Sequence, residues 1–276
     1  ILINLITALD LLTSDDGSVE LIAKSKFLAT LLDTIDKPTT DIEIVKVSLN
    51  CMGNYFVRNS SDYWQHYEIE QLYNILKALE KQYYANSDIL TSICKISGYI
   101  LKGFDSKLYT EKFYLLCIES LNCQDWNLPL VLLTLQIIKE SLIQHEDLQT
   151  DVFETTKQTV FNLLRLYYNT YTVQVLGFDI LSLFNANNIH MYFITNDIVT
   201  ILRESLDNEE FNSDPVAKLA IRKSIYNLAS VLCIDEGNTK RISFEIMEVL
   251  LKEVDYDYSD SLVVSEKIIR MLLNLK

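Results

Sequence analysis

The sequence predicts an all-α fold, a right-handed superhelical solenoid of about six three-helix repeats, and three observations point there. Only 6 Gly and 3 Pro punctuate 276 residues, too few for the turns of a sheet protein of this size. Apolar residues make up 49% and are spread evenly, as in an array whose neighbouring units share one continuous core. Apolar positions also recur with helical periodicity at a fixed long interval.

The elements follow in order. Residues 1–13 read as the last helix of a truncated repeat. The first full repeat, about 18–57, has a short helix Val19–Lys24, a medium one Phe27–Ile35, and a long one from Asp41 to Phe56. Pro38 stops the second helix, and Thr40 or Asp41 is placed to N-cap the third. The same order recurs in repeats at about 62–103, 105–144, 146–187, 188–234 and 236–275. Their short helices are Tyr63–Ile69, Ser106–Thr110, Asp147–Phe153, Ile189–Ile194 and Thr239–Ile242. Medium helices follow at Gln71–Tyr83, Lys112–Leu121, Thr155–Tyr168, Asp197–Leu206 and Phe244–Val254, each leading into a long helix. Pro129 and Pro215 fall in the first turn of long helices, where a missing N–H costs little. Both ends lie inside periodic helix, so the expectation is one repeat domain belonging to a longer protein.

Aligning the long helices tests the repeat. The strings Leu49–Phe56, Ile93–Ile100, Leu135–Leu142 and Phe178–Asn185 keep apolar residues at their first and fourth positions. They lie roughly 42 to 44 residues apart, the spacing of two- or three-helix solenoid repeats.

Charge narrows the partners. Lys+Arg 24 against Asp+Glu 38 gives a net charge of −14, so no basic stripe is available for nucleic acid or an anionic membrane surface. No stretch is apolar enough for direct membrane insertion. The five cysteines, Cys51, Cys94, Cys117, Cys123 and Cys233, are odd in number and sit in apolar helical contexts. They read as reduced thiols of an intracellular protein, cytoplasmic or nuclear.

Catalytic motifs are not evident. The chain has no Gly-rich phosphate loop, no nucleophile elbow and no Cys-x-x-Cys pair. His66, His145 and His190 are far apart, and only His66 has a companion at helical spacing, Glu70. The sequence therefore gives no catalytic residues, metal ligands or cofactor site. Two acidic stretches stand out, Asp207, Glu209 and Glu210 in the fifth repeat and Asp255 and Asp257 in the sixth. Each is either a solvated surface or a docking patch for a basic segment.

Ser18 to Ile35 resembles the first two helices of the armadillo repeat family, and Ser224 to Ser230 resembles the end of its third helix. The glycine usual between the first two helices is replaced here by Ser25-Lys26, which leaves a HEAT-like variant open. The resemblance implies a non-enzymatic scaffold whose long helices line a concave groove for a partner segment. A regulator of an enzyme, such as a chaperone cofactor or a GTPase exchange factor, is the alternative on the same fold. The groove positions it implies are Asn50 and Asn54, Cys94 and Gly98, Gln136 and Glu140, Asp179, and Asn227. Amide side chains there could pair with an extended backbone. Importin-α-type grooves carry Trp four residues before each Asn; that slot here holds Asn50, Cys94, Gln136 and Asp179. The expected partner is a basic or amphipathic protein segment; oligomeric state is not legible.

Overall fold

The structure, a computed structural model, describes residues 2–13, 27–37, 41–58, 66–104, 106–144, 150–184 and 196–232. Those residues are helical with short turns, and no strand occurs among them. The helices are α1 (Leu2–Thr13), α2 (Phe27–Ile35), α3 (Ile42–Arg58), α4 (His66–Gln82), α5 (Ser87–Gly103) and α6 (Lys107–Cys123). They continue with α7 (Leu128–Gln144), α8 (Thr150–Leu166), α9 (Tyr171–Leu183), α10 (Asn196–Asp207), α11 (Glu209–Ser213) and α12 (Pro215–Leu232).

The chain divides into two compact units, Ile1–Val152 and Phe153–Lys276. In the first, α1, α3, α5 and α7 pack side by side in chain order, and α2, α4 and α6 form a second row in the same order. Each member of the second row also packs on the long helix that follows it. In the second unit α9 and α10 pack on α12, with the short α11 between α10 and α12 in sequence and touching both.

Sequence explains where the helices start and which face they bury. Asp41 accepts the Glu43 N–H at 2.9 Å, Asn86 that of Ile89 at 3.1 Å, and Asn127 that of Leu130 at 3.1 Å. Asp214 does the same for Val216 at 2.9 Å, and Pro215 is the first residue of α12. Each carboxylate or amide satisfies a donor that the first helical turn leaves without an internal partner. In α5 the apolar positions Ile89, Leu90, Ile93, Ile96, Ile100 and Leu101 recur at three- and four-residue steps and are almost wholly buried. Gly98 lets α7 come close: a Cβ there would lie 3.0 Å from Ile137 Cδ1.

The three-helix repeat is corrected where the structure describes it. The short and medium helices of the second, third and fourth repeats are single helices, α4, α6 and α8. The joints fall at Glu70, Glu111 and Glu154, strong helix formers with no Gly or Pro beside them, so nothing stops the helix. Each of these repeats is therefore a pair of helices. The acidic connection of the fifth repeat is also helical in part, as α11, because Asn208 accepts the N–H groups of Glu210 and Phe211. Val19–Lys24, Ile189–Ile194 and the whole sixth repeat lie outside the described residues.

Hydrogen bonds and ion pairs tie the second row together one repeat at a time. Lys112 Nζ donates to both oxygens of Glu70 at 2.9 and 3.0 Å, and stands 5.2 Å from the centre of the Tyr73 ring and 5.5 Å from that of Tyr109. This bond holds the Glu70 carboxyl below its ordinary range and raises Lys112. Further along, Lys77 donates to Glu80 at 2.9 Å and to Glu119, while the Cys123 thiol donates to the other Glu80 oxygen at 3.8 Å. Glu80 is almost fully buried, and Lys77 supplies its counter-charge.

One consequence is a pH dependence. Tyr55 packs against Phe27 and Phe56, and burial, then the nearby Glu68 carboxylate, push its phenol from 10.0 to about 12. A group raised on folding stabilises fully below its unfolded value and loses that contribution as pH climbs through the folded one. Stability is thus expected to fall between about pH 10 and 12. Tyr55→Phe is expected to make that fall shallower, as measured by the thermal midpoint at each pH.

Candidate functional site

The buried stripe of each long helix leaves a polar stripe opposite, and in the first unit three of these lie side by side. On α3 it is Glu43, Lys46, Asn50 and Asn54, and on α5 it is Asp88, Ser92, Lys95, Tyr99 and Lys102. On α7 it is Gln136 and Glu140, continued by the exposed but apolar Ile143. All are exposed or half-buried.

Side chains link these stripes across the helices. Lys46 Nζ lies 3.4 Å from Asp88 and 3.6 Å from Glu43, and the bond to Asp88, then the Glu43 charge, raise the lysine above its usual value. Ser92 Oγ donates to the Asp88 carbonyl of its own helix at 3.0 Å and lies 3.5 Å from Asn50 Oδ1 across the helix pair. Gln136 Nε2 donates to Glu140 at 2.8 Å and Lys102 lies 2.5 Å from the same carboxylate. Those two contacts, the glutamine's first, hold the Glu140 carboxyl below its ordinary range. The result is a row of amides, a hydroxyl and paired charges crossing three helices on a buried apolar base. Lys46, Lys95 and Lys102 balance Glu43, Asp88 and Glu140, so the strong negative charge of the chain is not concentrated on this face.

Asn50, Asn54, Gln136 and Glu140 stand on this face as the alignment places them. Cys94 and Gly98 do not. Both are buried; Thr134 Oγ1 donates to Cys94 Sγ at 3.6 Å, and Gly98 faces Ile137. As the central helix, α5 packs on α3, α4, α6 and α7, so its core stripe is wider than that of its neighbours. Lys46, Asp88, Ser92 and Lys102 were missed, although Lys46 and Asp88 sit one repeat interval apart with opposite charge.

In the second unit Asp179 on α9 and Asn227 on α12 are half-buried, each opposite its helix's core stripe. Asp207, Glu209 and Glu210 are exposed around the start of α11, with Asp207 3.7 Å from Arg203. Asp255 and Asp257 lie outside the described residues.

Among the described residues no group of three or more His, Cys, Asp and Glu side chains could hold a metal ion. No described helix is long and apolar enough to cross a membrane. Cys51, Cys94, Cys117 and Cys123 are free thiols, and Cys117 is held well above its ordinary value by Cys94 and by burial. Comparison of the chain with protein-family models, with curated proteins and with solved structures found no match.

Proposed function

We propose that this chain is a non-enzymatic interaction scaffold, a right-handed helical-repeat solenoid of armadillo or HEAT-like type, that takes a partner segment on the face of its long helices. The observation carrying this reading is the row of hydrogen-bonding side chains that crosses α3, α5 and α7. Asn50 and Gln136 each offer a donor and an acceptor, which suits the N–H and C=O groups of an extended or helical segment. The charge balance of the row favours an amphipathic segment over a purely basic one. Pairs of helices, rather than triplets, bring the repeats closer to the HEAT-like variant. The free thiols support an intracellular setting, cytoplasmic or nuclear.

A photo-crosslinking residue placed at Asn50 or Gln136 tests this in native extract. Both positions are expected to capture one common protein, and Asn74, exposed on α4, is expected not to. Asn50→Ala combined with Glu140→Ala is expected to weaken capture at Gln136 about tenfold with helical content unchanged. Capture from Asn74 alone, or none from the long-helix face, would place the binding surface elsewhere.

A further inference from the structure

The connections between paired helices carry a second surface. In the first unit the turns Tyr83–Asn86 and Gln124–Asn127 are built alike. The Asn86 N–H donates to the Tyr83 carbonyl at 2.8 Å and that of Asn127 to the Gln124 carbonyl at 2.9 Å, and each asparagine then caps the next helix. At their crests Tyr84 is 62% exposed and Trp126 67% exposed. Large rings so far out of the core gain little from folding, since most of the burial that normally stabilises them is missing.

These rings stand on fixed turns. The buried Gln124 donates its Nε2–H to the Tyr84 carbonyl at 3.2 Å, locking one crest to the next. Asp41 and Asp125 stand exposed on this edge with Lys37 and Lys81, and Asp125 directly precedes Trp126, while Asp88 is held by Lys46 on the long-helix face.

The second unit repeats the combination. In the turn Tyr167–Thr170 the Thr170 N–H donates to the Tyr167 carbonyl at 3.0 Å, and Tyr168 is 61% exposed. Asn208 Nδ2 donates to the Tyr168 carbonyl at 3.4 Å, matching the bond from Gln124, and Asp207, Glu209 and Glu210 lie exposed beside it.

We propose that this turn edge is a docking site, distinct from the long-helix face, for an extended proline-rich segment carrying arginine, with Tyr84 and Trp126 as its two platforms. Packed helices stand about 8–10 Å apart, and a polyproline II strand advances about 9 Å in three residues, so prolines three apart meet rings on successive crests. Such a strand is extended before binding, and exposed aromatic rings are its usual seat. Arginine fits the charge: its guanidinium can lie over the indole while donating to the carboxylate of Asp125.

Fluorescence anisotropy of a labelled synthetic peptide with Pro at every third position and Arg at both ends tests the proposal, with a Gly/Ser peptide bearing the same arginines as control. The proline peptide is expected to bind at least tenfold tighter than the control. Trp126→Ala and Tyr84→Ala are each expected to weaken it about tenfold, and Asp125→Asn to lessen its salt dependence. Both rings are exposed, so thermal unfolding of these variants is expected to match the parent; Trp126→Phe, which keeps a ring, is expected to retain most of the binding. Asn50→Ala with Glu140→Ala is expected to leave it unchanged. Failure of the proline peptide to bind, equal binding of the Gly/Ser control, or indifference to both ring variants overturns the proposal. Loss of binding in the Asn50/Glu140 variant overturns it too, by moving the peptide to the long-helix face.

Discussion

Gln174→Leu is expected to lower the stability of the second unit by about 3 kcal/mol, read from urea unfolding. The Gln174 side chain is fully buried at the join of α8 and α9. Its Nε2 donates to the carbonyls of Leu164 at 2.7 Å and Tyr167 at 3.1 Å, and its Oε1 accepts the Ser205 hydroxyl at 3.0 Å. The carbonyls belong to the end of α8, where the last turn has no further N–H groups to offer. Leucine fills similar space but leaves these groups unpaired, at about 1–3 kcal/mol each. The total falls toward the lower end because the Tyr167 carbonyl keeps its bond from Thr170. Adding Ser205→Ala removes one stranded hydroxyl and is expected to restore part of the loss. A loss below about 1 kcal/mol would mean that water replaces the amide.

Lys77→Met is expected to cost about 3 kcal/mol in the first unit. The change keeps the length of the side chain but removes the ammonium that faces Glu80 and Glu119. Glu80, only 5% accessible, would then be an almost unsolvated anion near a second carboxylate. Removing one partner from such a pair is far costlier than replacing both. Lys77→Met with Glu80→Leu is therefore expected to recover most of the loss, and the double-mutant cycle separates the pair's coupling from simple packing. If the double variant is less stable than Lys77→Met alone, Glu80 has a stabilising role that does not depend on the lysine.

The sequence made the ends of the long helices legible, because their signals are local. Asp41, Pro129 and Pro215 act within one helical turn, and their chemistry is the same in any fold. The phase of α3 and α7 was also readable, since each shows a narrow apolar stripe with Asn50 or Gln136 opposite. Two features resisted. Glu70, Glu111 and Glu154 let helices run through joints that the repeat pattern placed as breaks. The face of α5 depends on neighbours distant in sequence: Cys94 is buried because α7 brings Thr134 against it, and Gly98 because Ile137 needs the room. The turn edge with its crest rings was only half visible. The carboxylates of the fifth repeat were evident, but nothing local marks Tyr84 and Trp126 as neighbours, which the packing of α4 on α6 and the bond from Gln124 to the Tyr84 carbonyl make them.

The ties between helices in the first unit share one property with a kinetic consequence. Gln71 reaches Asp33, Lys112 reaches Glu70, Gln124 reaches Tyr84 and Glu140 reaches Lys102, all one repeat away. Such a ladder has only nearest-neighbour rungs, so opening one hairpin releases the next without disturbing those beyond it. Amide deuterium uptake is therefore expected to be graded and slowest in α5, which packs on α3, α4, α6 and α7.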